Sequence, residues 1–200
     1  MPATRKNFAP LLAAAPVMAL PMVVAFHVAV LGAAIAWQSL RPEGAYALVR
    51  PPRALPVPWW MAAIAVSWLL VLLPAALESR LPALRQLAAD LYVAVAPVTR
   101  LRVAVFAGLA GVCEEALFRG PLQATVGWPI AAVVFAVLHG GMQRKLWVWT
   151  AFALLAGVLM GLLVHVYDAL SPAIVAHITV NAINMRRLQR YAGVAAVPGP

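Results

Sequence analysis

Three ionisable side chains interrupt an apolar stretch that is otherwise long enough to cross a bilayer. They are Glu114, Glu115 and Arg119, and they lie within the segment VAVFAGLAGVCEEALFRGPLQATVG. A charged residue at the centre of a membrane helix costs about 2.5–3.5 kcal/mol, whereas each Leu, Ile or Val contributes only roughly 0.3–0.6 kcal/mol to insertion. The three charges therefore cancel much of the insertion free energy of this segment. We expect them to face a protein-lined cavity and to serve a function.

The composition of the 200-residue chain is typical of a polytopic membrane protein. Hydrophobic residues make up 64% of the chain and charged residues 10%, whereas about a quarter of a soluble domain is charged. A net charge of +9 is compatible with nucleic-acid binding, but the basic residues are scattered in short segments between apolar stretches. They therefore indicate membrane topology and contacts with lipid headgroups, and we expect no nucleic-acid partner.

The apolar stretches predict an all-α transmembrane bundle of about six spans, because one span needs about 20 residues. The predicted spans are about Leu11–Trp37, Pro58–Leu77, Val103–Thr125, Trp128–Met142, Leu146–Tyr167 and Pro172–Arg190. The many Ala and Gly residues favour packing through small side chains. Residues 78–102 predict an amphipathic helix at the membrane interface.

The predicted spans divide the chain into three parts. Residues 1–100 hold two transmembrane helices with basic and interfacial linkers, residues 101–190 hold a four-helix core with the polar residues, and residues 191–200 form a short tail. Placing the N-terminus inside gives eleven basic residues in cytoplasmic segments and three in outer ones. The inner residues are Arg5, Lys6, Arg80, Arg85, Arg100, Arg102, Arg144, Lys145, Arg186, Arg187 and Arg190, and the outer ones are Arg41, Arg50 and Arg53. This bias predicts an inner-membrane protein of bacteria with both termini in the cytoplasm.

The carboxylates of the third predicted span are expected to have different partners. Glu115 and Arg119 are four residues apart, so they share a helix face and can pair. Glu114 is turned about 100° away from Glu115, so it can point into the bundle as a general base. The same three residues can also be explained as a polar clamp between helices, without catalysis.

Two histidines and an asparagine from later spans are expected to lie at the depth of these carboxylates. His139 ends the run FAVLH, and His177 begins the run HITVN, in which Asn181 shares its helix face. With a rise of about 1.5 Å per residue, the six-span topology lets Glu114, His139, His177 and Asn181 converge in one layer.

Four other reactive side chains are interpreted as structural. Cys113 is a single cysteine within an apolar helix, so we expect it to fill space. His27 and His165 have no polar companions at matching positions in the sequence, and we assign neither to the site. Ser171 followed by Pro172 is typical of a helix N-cap and its first residue.

Three sequence boxes resemble those of the CPBP family, whose members are intramembrane proteases related to the type II CAAX prenyl endopeptidase and to bacteriocin-processing proteins. The boxes are EEALFR (114–119), FAVLH (135–139) and HITVN (177–181), and they match the family pattern EExxxR, FxxxH and HxxxN in order. The resemblance covers roughly residues 101–190. The chain has fewer spans than better-known members, which leaves room for a partner or a homo-oligomer to complete the cavity wall.

The resemblance implies a glutamic-type endopeptidase whose catalytic core is residues 101–190. Glu114, helped by His139, would activate a water molecule, and His177 and Asn181 would stabilise the oxyanion. The supporting residues would be Glu115, Arg119 and Phe135, the last packing one turn below His139. The substrate would be a membrane-anchored protein cut near its C-terminus, at the surface of or within the lipid bilayer.

Two other interpretations remain open. Glu114, His139 and His177 would also make a valid zinc set with an open position, but the sequence lacks HExxH and the resemblance favours a mechanism without a cofactor. A non-catalytic immunity factor or small transporter could use the same polar layer as structure.

The charge distribution also leads to an expectation about access. It places the turns at 125–128 and 168–171 outside, so we expect the polar layer to open toward the extracytoplasmic side. For an enzyme with that opening, the resemblance to bacterial sorting members of the family implies that it trims a membrane-tethered C-terminal sorting tail or a similar anchor.

Overall fold

The structure, a computed structural model, describes residues 19–140 and 144–191, and within these ranges seven helices form a bundle. They are α1 (Leu20–Ser39), α2 (Trp59–Leu77), α3 (Pro82–Val95), α4 (Arg100–Val126), α5 (Trp128–Gly140), α6 (Trp147–Tyr167) and α7 (Ser171–Leu188). The all-α prediction is confirmed. The predicted beginning of the first span at Leu11, the end of the fourth at Met142 and the tail from residue 192 lie outside the described residues.

The helices differ in their capacity to cross a membrane. In the described part of the chain, α1, α2 and α6 are each long and apolar enough to do so. Helices α3 and α4 together form one further candidate that is bent by 103°. Helix α5 is apolar but has 13 residues, and α7 contains the polar residues of the HITVN box. The chain is thus an integral membrane protein with three to four candidate spans, and six spans stay a prediction.

Polar contacts bring three connections together at one end of the bundle. Arg41, just after α1, donates a hydrogen bond of 2.8 Å to Oγ1 of Thr125 near the end of α4. Arg50 forms an ion pair of 2.7 Å with Asp168, in the turn between α6 and α7. We call this the turn end; it comprises residues 40–58, 124–128 and 168–170.

The opposite end contains the connections around α3 and the end of α7. Nε2 of Gln189 donates a hydrogen bond of 2.8 Å to the carbonyl oxygen of Val98, and Arg190 pairs with Glu78. We call this the basic end; it comprises residues 78–100 and 186–191. The three arginines predicted to lie outside are at the turn end, and basic residues predicted to lie inside are at the basic end.

Helix α4 is irregular where the sequence predicted a regular span. It contains two π-helical turns, Ala110–Glu114 and Phe118–Leu122. The second turn includes Gly120, with non-helical backbone angles, and Pro121, which has no N–H to donate and cannot continue a regular helix without adjustment. Single π-helical turns are frequent at functional sites, and here the first one ends at Glu114.

The beginning of α7 differs from the prediction. Leu170 is the N-cap residue and Ser171 is the first residue of the helix, so the prediction of Ser171 as N-cap was wrong. Asp168 adopts a left-handed backbone conformation with φ of 52°, and α7 begins three residues after it, one residue earlier than predicted. Pro172 lies in the first turn of the helix, where its missing N–H is tolerated.

Small residues allow the helices to approach closely. A Cβ placed on Gly111 of α4 would lie 2.4 Å from Cγ1 and 3.0 Å from the backbone nitrogen of Ile178 on α7. A Cβ on Gly157 of α6 would lie 3.1 Å from the backbone of Ala132 on α5. The predicted packing through small side chains is therefore confirmed at two helix crossings, and one of them joins the helices that carry the first and third boxes.

We expect Gly111→Ala to destabilise the protein, because its methyl group would force α4 away from α7. Overpacking of this kind costs about 1–3 kcal/mol, which would lower the midpoint of thermal unfolding in detergent. The control is Gly108→Ala on the same helix, where an added Cβ meets no atom within 4 Å among the described residues. Equal melting of both variants would contradict the close crossing.

Candidate active site

Glu114 places its carboxylate between histidines from two other helices. Its Oε2 lies 3.2 Å from Nε2 of His139 on α5, and its Oε1 lies 3.5 Å from Nε2 of His27 on α1. The side chain is 14% exposed, so it is largely withdrawn from solvent. A carboxylate in such surroundings needs charged or hydrogen-bonding partners, and the two imidazole rings supply them.

The adjacent carboxylate, Glu115, is fully buried and has its own partners. Its Oε2 lies 3.2 Å from Nε of Arg119, as the spacing predicted, and its Oε1 lies 2.7 Å from Nδ1 of His177 on α7. The contact with His177 ties α4 to α7. Glu115 is engaged in this way, and Glu114 is the carboxylate of the two that lines the cavity.

Backbone carbonyls determine where two of the histidines carry a proton. Nδ1 of His139 lies 2.8 Å from the carbonyl oxygen of Phe135, and Nδ1 of His27 lies 2.8 Å from that of Val23. A carbonyl oxygen only accepts, so each Nδ1 carries a hydrogen and donates it. Each Nε2 then faces Glu114, and its contact with a carboxylate oxygen is favourable when a proton lies between them. The cluster is therefore suited to holding and exchanging protons.

Aromatic contacts connect the buried ion pair to His139. The ring of Phe135 lies 4.0 Å from that of His139, centroid to centroid, as predicted for a residue one turn below it. The guanidinium of Arg119 lies 4.7 Å from the centroid of Phe135, within the range of a cation–π interaction. Phe118 meets Phe135 edge-on at 5.0 Å. This stack fixes the plane of the imidazole that contacts Glu114.

A cavity of about 680 Å³ opens beside Glu114. Its polar lining residues include Glu114, His27, His139, His177 and Asn181. The structure thus brings together the four residues that the sequence proposed as catalytic, and Glu115 and Arg119 lie behind them. Most of the remaining lining is apolar, which suits a substrate segment embedded in or near the bilayer.

The cavity lies in the half of the bundle at the basic end. Leu91 and Val95 of α3 and Leu188 near the end of α7 line it. Toward the turn end, the space behind the carboxylates is filled by a core of buried residues that includes Ala34 and Leu170. The expectation that the polar layer opens toward the turns at 125–128 and 168–171 was therefore wrong, because helix packing closes that side.

His27 is the contact of Glu114 that sequence reasoning missed. It lies on α1, and no sequence pattern relates that helix to the first box. Its signal is weak: it is a histidine in an otherwise strongly apolar helix. Two of the structural interpretations are in keeping with the structure, since His165 is exposed on α6 and Cys113 is 2% exposed within α4.

The zinc alternative receives no geometric support. In the two described ranges, no group of three or more His, Cys, Asp or Glu side chains is arranged to hold a metal ion. Glu114, His139 and His177 line one cavity, but Nδ1 of His177 is taken by Glu115. That the protein acts without a cofactor stays a prediction.

The fold and the site define an integral membrane protein with a carboxylate and histidine cluster buried among its helices. Residues 96–183 match the family model for type II CAAX prenyl endopeptidases, described as Rce1-like. All three boxes lie within the match, so over these residues the resemblance to the CPBP family is confirmed. No curated protein and no solved structure matches the chain. The match to an endopeptidase family indicates a protease as the class of protein.

We expect Arg119→Ala to destabilise the protein strongly, because it leaves the fully buried Glu115 without its charged partner. Removing one member of a buried ion pair typically costs about 3–5 kcal/mol, measured as the shift of thermal unfolding in detergent. Arg50→Ala is the control, since Arg50 and Asp168 form an exposed pair with side chains 33% and 49% accessible. Loss of such a pair costs about 0–1 kcal/mol, and similar losses for both variants would argue against a structural ion pair at Arg119.

Proposed function

We propose that the chain is an intramembrane endopeptidase of the glutamic type that cleaves a peptide bond near the C-terminus of a membrane-anchored protein. One observation carries this proposal: Glu114 lies at the cavity with His139 3.2 Å away, while its neighbour Glu115 is sequestered by Arg119 and His177. A general base needs a carboxylate lone pair that is open to the attacking water, a neighbour that shares its proton, and space for the substrate. The family match supports the same reaction class.

The proposed reaction begins with a water molecule bound between Glu114 and the scissile carbonyl. Glu114 takes a proton from this water as the oxygen attacks the carbonyl carbon, and the carbonyl oxygen becomes an oxyanion. The proton then passes to the leaving amine as the C–N bond breaks. Nε2 of His139, in contact with Oε2 of Glu114, shares that proton during the transfer.

Asn181 and His177 are the proposed donors to the oxyanion. Both line the same cavity from successive turns of α7, and the side-chain amide of Asn181 is a donor in any protonation state. Since Glu115 accepts from Nδ1 of His177, Nε2 is the atom that faces a ligand. It donates only while both ring nitrogens carry protons. Donors preorganised in this way are worth about 10²–10³ in kcat when they meet a developing charge.

Access is proposed from the basic end, which we assign to the cytoplasm by its arginines. In this arrangement every helix except α3 crosses the bilayer, which gives six spans. The substrate enters from the cytoplasmic side of the membrane. Phe106, Phe135 and Met160 are among the apolar residues that would contact its peptide segment. The enzyme would need no cofactor.

The proposal predicts that Glu114→Gln abolishes proteolysis in a folded protein. The amide keeps the shape of the side chain but cannot take a proton, and loss of a general base lowers rates by about 10²–10⁴-fold. The measurement is a membrane-proteome comparison of cells that express wild type or variant at equal abundance, with quantification of processed termini. Glu43→Gln, at the exposed turn end, is the matched control.

Termini that disappear only with Glu114→Gln would identify the substrate together with the activity. Unchanged processing with intact, folded variant would leave the polar site with a structural role. The chain would then be an immunity factor or a small transporter.

Reporter fusions test the orientation. Fusions at residue 144 and at the C-terminus are both expected to be cytoplasmic. With the N-terminus in the cytoplasm, four predicted spans precede residue 144 and six precede the C-terminus, and an even number of crossings returns the chain to the same side. An alkaline phosphatase fusion should therefore be inactive at both positions, and a fluorescent protein should be bright. An extracytoplasmic location of either fusion would contradict the six-span topology.

A further inference from the structure

Helix α1 directs two polar side chains, His27 and Gln38, into the bundle, and His27 is the one that reaches Glu114. Its neighbours Phe26 and Val28 are 61% and 60% exposed, whereas His27 is 8% exposed. The buried residues of α1 are Val23, His27, Ala34 and Gln38. Burying an imidazole in an apolar span is costly unless it has a partner. The partner placed beside its free nitrogen is Glu114.

The orientation of the His27 ring is fixed from both sides. Nδ1 contacts the carbonyl oxygen of Val23 at 2.8 Å, one turn earlier on the same helix. Nε2 is buried without a conventional hydrogen bond to any described residue, and it lies 3.5 Å from Oε1 of Glu114. His139 contacts Oε2, so the two rings approach opposite oxygens of one carboxylate.

A carboxylate that is contacted at only one oxygen can still rotate about its terminal torsion. A general base, by contrast, must keep one orientation relative to the water that it deprotonates. The terminal torsion of a glutamate side chain is broad and roughly two-fold, so a single contact with His139 leaves the plane of the carboxylate poorly determined. A misplacement of 1 Å at a reacting group can cost about 10²-fold in rate. A second contact from α1 removes that freedom.

We propose that His27 is a positioning residue for Glu114, and that its Nε2 holds Oε1 so that the carboxylate meets the attacking water in one orientation. The inference rests on the proposed function of Glu114 as general base. His27 lies outside the three sequence boxes and outside residues 96–183 that match the family model. Helix α1 is accordingly part of the catalytic unit of this chain.

Three substitutions of His27 separate positioning from packing. The amide nitrogen of Gln can occupy the place of Nε2 and donate to Glu114, whereas that of Asn reaches only the place of Nδ1. We expect His27→Ala and His27→Asn to lower the processing rate by about 10–100-fold, as loss of orienting contacts around a reactive centre typically does. His27→Gln should keep most of the rate.

The assay uses the full chain in pulse-labelled cells and follows the appearance of the processed termini that Glu114→Gln abolishes. Melting of each purified variant in detergent is measured alongside. His165→Ala, an exposed histidine on α6, is the control and should match wild type in both measurements.

The outcomes distinguish the two proposals. If Glu114→Gln processes normally, the proposed function fails, and the role of His27 fails with it. If Glu114→Gln is inactive but all three His27 variants keep the wild-type rate, only the role of His27 is overturned. Equal losses for Gln, Asn and Ala, in proportion to lowered melting temperatures, would also overturn it, because they would indicate packing alone.

Discussion

The rest of the site depends on the fully buried carboxylate of Glu115. An ion withdrawn from water is tolerable only with close partners, and Glu115 has two, Arg119 on its own helix and His177 on α7. These contacts require α4 and α7 to cross closely, which Gly111 permits by having no side chain. Because Glu115 engages Arg119 and His177, the contacts of Glu114 come from other helices, namely His139 on α5 and His27 on α1.

The irregular course of α4 surrounds its two adjacent carboxylates, which have different partners. The π-helical turn that ends at Glu114 and the one that contains Pro121 interrupt the regular helix on both sides of Glu115. Such turns are rare and frequently occur at functional sites. Their position beside a carboxylate that lines a cavity supports the reactive role proposed for Glu114.

Much of the local geometry could be predicted because it depends on contacts within a few residues of one helix. The pairing of Glu115 with Arg119 and the packing of Phe135 below His139 both follow from a spacing of four residues. The single cysteine, Cys113, is buried in α4 as its apolar neighbours indicated. The π-helical turns were not predicted, since hydrophobic periodicity does not reveal a locally widened turn.

The sequence by itself determined that the chain is a helical membrane protein, that three polar boxes lie in order along its core helices, and that its basic residues separate into two groups. Composition, spacing and order are properties of the linear chain, so they could be read without coordinates. Only the tertiary structure decided that His27 meets Glu114 and that the cavity reaches the basic end. The physical reason is that helix packing selects which faces of distant segments meet. An isolated apolar helix such as α1 gives no sign of which residue will lie inside.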